Sequence, residues 1–307
     1  MELPEKIETY HLIYQSIREK ERVHIKELAT ILGYSGRGST FETASKYLHK
    51  MYECKISLNP SLNLRTYENS YITAYFLKST SKYSPSHTFE NLAKDPKISK
   101  VIFLAGTYDF LVTTRQKDVD FKKHGVSIAK ESIMYTSLFT VPKGWKEKMR
   151  NALMAFAYST LEHSMLKREM EDFLPWENIH WDIFYSMKDD VRTPFAHVAK
   201  DVSVAADTVK KHFYKTVLPY CNVAHYFLPK GYDWYLQSLV IVESDHEKAL
   251  IDTLSLLPCT SYVYILEKEV VLTIFHEGVN DVMTAFQKIE EAGYIKRHLL
   301  LVPLSNW

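Results

Sequence analysis

A stretch of this chain occurs twice. Pro96, Val101, Leu104, Phe110, Val112 and Trp145 recur about 162 positions later as Pro258, Val263, Leu266, Leu272, Ile274 and Trp307. The echo continues upstream at a shift of about 170, where Ile13, Ser16, Ile17, Arg22, Leu28 and Ala29 meet Ile183, Ser186, Met187, Arg192, Val198 and Ala199. A period this long marks a two-domain unit copied once, not a solenoid repeat. With 307 residues and 46% apolar composition, the chain has room for several packed cores. No window approaches the ~18 uninterrupted apolar residues of a membrane span, and the amino terminus lacks a signal-peptide layout, so a cytoplasmic protein is expected. Cys54, Cys221 and Cys259 are too scattered for a disulfide framework or zinc cage and read as small core residues. A formal charge of +1 neither demands nor excludes nucleic acid, because phosphate affinity follows local clustering of Lys and Arg.

Each half opens with helices. Ile7, Tyr10, Ile13, Tyr14 and Ile17 recur at spacings of three and four, and Ile25, Leu28, Ala29 and Leu32 repeat the pattern before Gly33. After a turn containing Gly36, Arg37 and Gly38, Ser39 or Thr40 can cap a third helix running to about Glu53. Residues 55–65 read as a two-stranded wing around Asn59-Pro60. Three short helices and a wing suggest a winged helix-turn-helix. On its third helix Phe41, Ala44, Leu48, Met51 and Tyr52 point inward, leaving Thr43, Ser45, Lys46, His49 and Lys50 outward. Thr208, Lys210, Lys211, Tyr214 and Lys215 form the outward set of the second copy. Hydroxyl and cationic groups on such a face suit phosphates and base edges, so Arg37, Ser39 and Thr40 join these residues, His49 apart, as the candidate DNA contacts. The plainer alternative is a solvated helix face.

After each helical module the pattern alternates. Strands are expected at 71–77, 98–114 (two, around Ala105-Gly106-Thr107) and 131–141, with helices at 84–95 and 118–124; the second copy repeats the order over 239–302. That order gives a four-stranded antiparallel sheet with both helices on one face. Its other face needs a partner, or Val101, Phe103, Val263 and Ile265 would stay in water. The expected α+β chain therefore has a winged helix-turn-helix domain at 1–66, a ferredoxin-like domain at 67–144, a long linker helix at 145–175, a second winged domain at 176–236 and a second ferredoxin-like domain at 237–307. The linker helix would run roughly 40 Å from about Trp145 to Asp172.

The winged module, the segment ISLNPSLNL (56–64) and FLAGTYDFLVTT (103–114) together resemble the Lrp/AsnC (feast/famine) transcriptional regulators. The resemblance implies a sequence-specific regulator that binds double-stranded DNA, without catalytic or metal residues or a cofactor. It also implies a small effector such as an amino acid near the Gly-x-Tyr-Asp loop, here Gly106, Tyr108 and Asp109. Paired effector domains are implied too, either in a homodimer or as an internal pseudo-dimer. The second copy has Lys268, Val270 and Val271 where that loop should be. Two alternatives stand beside it: a structural or protein-binding descendant of the fold, and a tetrapyrrole decarboxylase, since some relatives of this fold decarboxylate haem precursors. Those enzymes carry basic and histidine residues in the wing-to-strand region, where this chain has Val223, Ala224, His225, Tyr226 and Phe227. No phosphate cradle, nucleophile elbow or His-Glu-x-x-His helix is present.

Overall fold

The computed structural model describes residues 3–34, 39–80 and 82–306. The first half contains α1 (Ile7–Glu19), α2 (Ile25–Ile31), α3 (Ser39–Glu53), β1 (Ser61–Leu64), β2 (Ile72–Ser79), α4 (Pro85–Ala93), β3 (Lys100–Ala105), β4 (Phe110–Thr114), β5 (Val126–Phe139) and α5 (Met149–Ala157). The second contains α6 (Asn178–Met187), α7 (Phe195–Asp201), α8 (Ala206–His212), β6 (Cys221–Ala224), β7 (Leu236–Glu243), α9 (Glu247–Thr253), β8 (Tyr262–Leu266), β9 (Val270–His276), α10 (Val279–Glu291) and β10 (Arg297–Asn306).

Eight strands close into one antiparallel barrel in the order β10-β3-β4-β2-β5-β8-β9-β7. The expected two winged helix-turn-helix and two ferredoxin-like domains in tandem, joined by a long helix, are therefore not what forms. Each half supplies four neighbouring strands, but their free edges find one another. Met134 of β5 pairs with Leu266 of β8, and Val302 of β10 pairs with Ala105 of β3. Two open sheets would each expose unpaired N–H and C=O groups; closure removes both edges at once.

The strand faces were also assigned one residue out of phase. Val101 packs outward beneath α4 with Leu92, Phe110 and Val112, while Val263 and Ile265 pack beneath α5, α9 and α10 with Leu153, Phe156 and Phe286. The lumen is filled instead by Ala74, Phe76, Ile102, Leu104, Leu111, Leu239, Tyr262, Tyr264 and Leu301. Because strand side chains alternate, an error of one position exchanges core and lumen.

The helical modules are not independent either. β1 does not fold back as a wing; it pairs with β6 of the other half, Ser61 opposite Ala224 and Leu64 opposite Cys221. Leu62, Leu64 and Tyr67 consequently complete the core of the second module around Ile183, Val209 and Phe213, and Phe227 completes that of the first around Ile13, Tyr14 and Met51. The matched arginines of the repeat reinforce the exchange. Arg22 donates to the carbonyl of Thr193 at 2.9 Å, and Arg192 donates to those of Glu21 and Val23, both at 3.1 Å.

The long linker helix is likewise corrected to the nine residues of α5. Beyond it the chain runs as an irregular strap whose polar groups bond across the fold instead of four residues back. Ser164 N–H donates to the Asp245 carbonyl at 3.0 Å, and Glu171 N–H to that of Thr66 at 2.8 Å. Met149, Ala152, Leu153 and Phe156 are buried as one stripe, whereas Met154, Tyr158 and Met165 are exposed. Of the three cysteines, Cys259 is buried, Cys221 half-buried and Cys54 exposed, so they are not all core residues. Among the described residues no helix is long and apolar enough to cross a membrane.

Candidate active site

At one mouth of the barrel, residues of five strands converge on a cleft of about 330 Å³. β2 contributes Ile72, β3 Lys100, β4 Thr113, β5 Met134 and Tyr135, and β8 Tyr262 and Tyr264. β1 and Arg65 form one wall; Phe184, Tyr185 and Lys188 at the end of α6 form another. The interlocked β1–β6 ribbon thus sets the second helical module over the barrel mouth. Lys100, Tyr226, Tyr262 and Tyr264 also line a second cavity of about 190 Å³, beside the first at the same end of the barrel, with Leu58, Ile102, Leu239 and Phe275.

Four cations face the mouth, in two different states. Arg65 is paired with Glu171 at 3.0 Å and Lys188 with Asp189 at 3.6 Å. Lys100 and Arg115 are half-buried, and among the described residues neither has a carboxylate partner. The Lys100 ammonium donates to the Tyr264 hydroxyl at 3.0 Å. Arg115 donates to the Ser70 hydroxyl at 3.0 Å and the Ser70 carbonyl at 3.2 Å, with its guanidinium 5.9 Å from the Trp181 ring. Tyr264 beside it raises the pKa of Lys100 above the usual lysine value, so the site holds an ammonium at neutral pH. Burial lowers the pKa of Arg115 from its usual range. Burial also pushes the phenols of Tyr226 and Tyr262 up, so both stay protonated. The cleft thus presents fixed positive charge among aromatic faces, a setting that suits a planar polyanion.

Among the described residues, none of those expected to contact DNA lines this cleft. Arg37 lies outside the described residues, and Ser39 and Thr40 open α3. Lys46 and Lys50 are exposed and Thr43 and Ser45 half-buried on that helix, with Lys50 paired to Glu53 at 3.2 Å. In the second module Thr208 is half-buried, and Lys210, Lys211, Tyr214 and Lys215 are exposed. There α8 widens after His212 into a π-turn over Phe213–Val217, which takes Tyr214 and Lys215 out of α-helical register. The loop expected to hold an effector is tightly built. Gly106 adopts φ +140°, and a Cβ there would sit 2.6 Å from Leu301 Cδ2. Tyr108 packs on Phe76 with ring centroids 5.0 Å apart, and the Asp109 carboxylate accepts the Ser79 N–H at 2.6 Å.

Sequence reasoning missed Lys100, Arg115 and the tyrosine group. The available signal was parity: Lys100, Ile102 and Leu104 share one face of an otherwise apolar strand, so the lysine had to point where they point. His225, singled out in the wing-to-strand segment, turns away from the cleft. Its Nε2 lies 2.7 Å from Ser57 Oγ, and its ring is 4.9 Å from Tyr14 in the first module, whereas the next residue, Tyr226, faces the cleft. Among the described residues no histidine lines the cleft, and no cluster of His, Cys, Asp or Glu could hold a metal ion.

Burial pushes the pKa of His225 down to about 3 and that of His11 down to about 4. Each takes up a proton near pH 6.5 once unfolded, so the unfolded chain binds more protons throughout the window from about 6.5 down to those values. Stability is complete above pH 6.5 and falls as the pH drops, by about 1.4 kcal/mol per pH unit for His225 and by less for the less enclosed His11. His225→Gln should flatten the decline of the urea midpoint between pH 7 and pH 5. Parallel profiles for the variant and the parent chain would refute a buried neutral His225.

No family model matches the sequence, and no curated protein matches it. Among solved structures, the chain is similar to the crystal structure of the siroheme decarboxylase NirDL, with a TM-score of 0.55 at 10% identity, covering 97% of this chain and 91% of that one. The same enzyme in co-complex with an iron-uroporphyrin III analogue gives a TM-score of 0.54 at 10% identity, covering 97% and 92%. What is shared at this identity is the fold, along nearly the whole of both chains. The comparison overturns the expectation of an Lrp/AsnC-type transcription regulator, with double-stranded DNA as its partner and no catalysis. Both of these solved structures carry the name of a siroheme decarboxylase.

Proposed function

We propose that this chain binds a carboxylate-bearing tetrapyrrole at the barrel mouth and decarboxylates it. The observation that carries this reading is the pair of cations, Lys100 and Arg115, held half-buried in one cleft with hydroxyl and carbonyl partners but no carboxylate. Withdrawing a cation from water costs free energy unless an anion compensates, so two uncompensated cations in one cleft mark where anionic groups of a ligand belong. Tyr71, Tyr185, Tyr226 and Tyr262 offer aromatic surface for a flat macrocycle, while Arg115 can hold a carboxylate in the plane of its guanidinium. The 330 Å³ cleft falls within the range of about 300–1,000 Å³ for small-molecule sites. The shared fold of the siroheme decarboxylase agrees with the same ligand class.

The reaction class follows from the ligand. A pyrrole acetate loses CO2 when its C–C bond breaks, the electron pair passes to the ring-bearing carbon, and a proton replaces the lost group. Iron, where present, arrives with the substrate. Titrating the protein with iron-uroporphyrin III should give a saturable change in the porphyrin absorbance that weakens with added salt, followed by release of CO2 on incubation. Absence of any absorbance change at equimolar protein would remove the proposal.

A further inference from the structure

We infer that Lys100 is the proton donor of this decarboxylation and that Tyr264 positions it; the inference rests on the tetrapyrrole reading above. Lys100 lines both the mouth cleft and the adjoining 190 Å³ cavity, so a side-chain carboxylate of a macrocycle spanning the two meets its ammonium. The neighbours of Lys100 on the same strand face, Ile102 and Leu104, are apolar and buried, which keeps bulk water from competing as the acid. The Tyr264 hydroxyl accepts from the ammonium at 3.0 Å, and its ring lies 5.7 Å from the same nitrogen. One N–H is thereby fixed toward Tyr264, leaving the other two for the ligand.

The other cleft groups are less well placed to deliver a proton. Arg115 binds a carboxylate but does not release a proton in the working range. Arg65 and Lys188 are already paired with Glu171 and Asp189. Lys100 remains: its ammonium is held by the Tyr264 hydroxyl on one side and has further N–H bonds to offer the cleft.

The step balances without a redox partner. The bond between the acetate methylene and its carboxylate breaks, CO2 departs, and the electron pair stays on the methylene carbon, delocalised into the pyrrole. A Lys100 N–H bond breaks as the new C–H bond forms, leaving a methyl group and a neutral amine. Solvent then returns the proton, so each turnover consumes one proton and releases one CO2.

The test uses the full chain with iron-uroporphyrin III, following binding by absorbance and turnover by released CO2. Lys100→Arg keeps the positive charge but removes the transferable proton, so binding should stay within about tenfold of the parent. Turnover should fall by about 10²-fold or more. Lys100→Ala should lose turnover in the same way and recover part of it when ethylammonium is added, a rescue that a structural role would not show. Tyr264→Phe should lower kcat by about tenfold with little change in KM. Turnover by Lys100→Arg within about threefold of the parent at equal occupancy would overturn the assignment, as would the failure of ethylammonium to rescue Lys100→Ala. A parent chain that releases no CO2 is a different result: it removes the decarboxylase reading itself, and the role of Lys100 with it.

Discussion

Arg115→Met should weaken iron-uroporphyrin III binding by about 10²–10³-fold while leaving the barrel intact. Truncating one partner of a partly buried, hydrogen-bonded charge pair costs about 2–5 kcal/mol, and every 1.4 kcal/mol is about tenfold in affinity. Arg115 follows directly on β4, its guanidinium anchored by Ser70 and by the face of Trp181. Neither contact is needed to close a strand ladder, and methionine restores most of the buried volume. Circular dichroism and the thermal midpoint should therefore match the parent while the absorbance titration moves. The parent's affinity should also fall more steeply with salt than the variant's, since one ion pair has gone. Affinities within about twofold of each other would show that Arg115 does not meet the ligand.

The second large effect concerns stability. Glu247→Ala should destabilise the protein by about 3–5 kcal/mol, because it strands a buried guanidinium. The Glu247 side chain is fully buried, and Arg168 donates to its two oxygens at 2.5 and 2.8 Å. The Leu166 N–H donates to the same carboxylate at 3.2 Å, and the remaining Arg168 nitrogen is bound to the Leu266 carbonyl. This cluster pins the irregular strap, the only covalent link between the halves, onto the start of α9 and the end of β8. Replacing both partners by Leu and Met should recover most of the loss, since an apolar pair of similar volume leaves no uncompensated charge. Denaturant midpoints for the two single variants and the double variant measure this directly. A loss below about 1 kcal/mol for Glu247→Ala would show that water solvates Arg168 there.

Parts of this architecture were legible in the sequence. The repeat brought Arg22 together with Arg192 and set residues 100–105 against 262–266, and the structure places these pairs at equivalent points of its two halves. The closure of the barrel was not legible, because a sheet edge has no residue signature until a partner edge is known; Met134 and Leu266 are separated by 132 positions and pair only across the repeat. The exchange of β1 and Phe227 between modules was hidden for a similar reason, since an apolar residue does not declare whose core it completes. The strap misled through composition. A single helix from about Trp145 to Asp172 was the expectation, yet the strap's N–H groups bond to Asp245, Glu247 and Thr66.

The site was misplaced for a physical reason as well. Lys46, Lys50, Lys210 and Lys211 drew attention because cations on an outward helix face are easy to read, but they cost nothing there and accordingly say little about a ligand. Lys100 in the strand KVIFLA and Arg115 after FLVTT are the informative cations, because burial penalises them and something must compensate. Their significance depends on strand parity and on barrel closure, neither of which is local. The Gly106-Thr107-Tyr108-Asp109 loop shows the converse: a familiar pattern whose glycine makes room for Leu301 and whose aspartate caps a backbone N–H.

The central claim is that the cations of the barrel mouth compensate the carboxylates of a macrocycle, and a crystal structure of the chain grown with iron-uroporphyrin III tests it most directly. The account predicts the macrocycle across the mouth between α6 and β8, with one carboxylate on the Arg115 guanidinium and another within hydrogen-bonding distance of Lys100 Nζ. A macrocycle bound elsewhere on the fold, with Lys100 and Arg115 still bonded only to Tyr264 and Ser70, would contradict it.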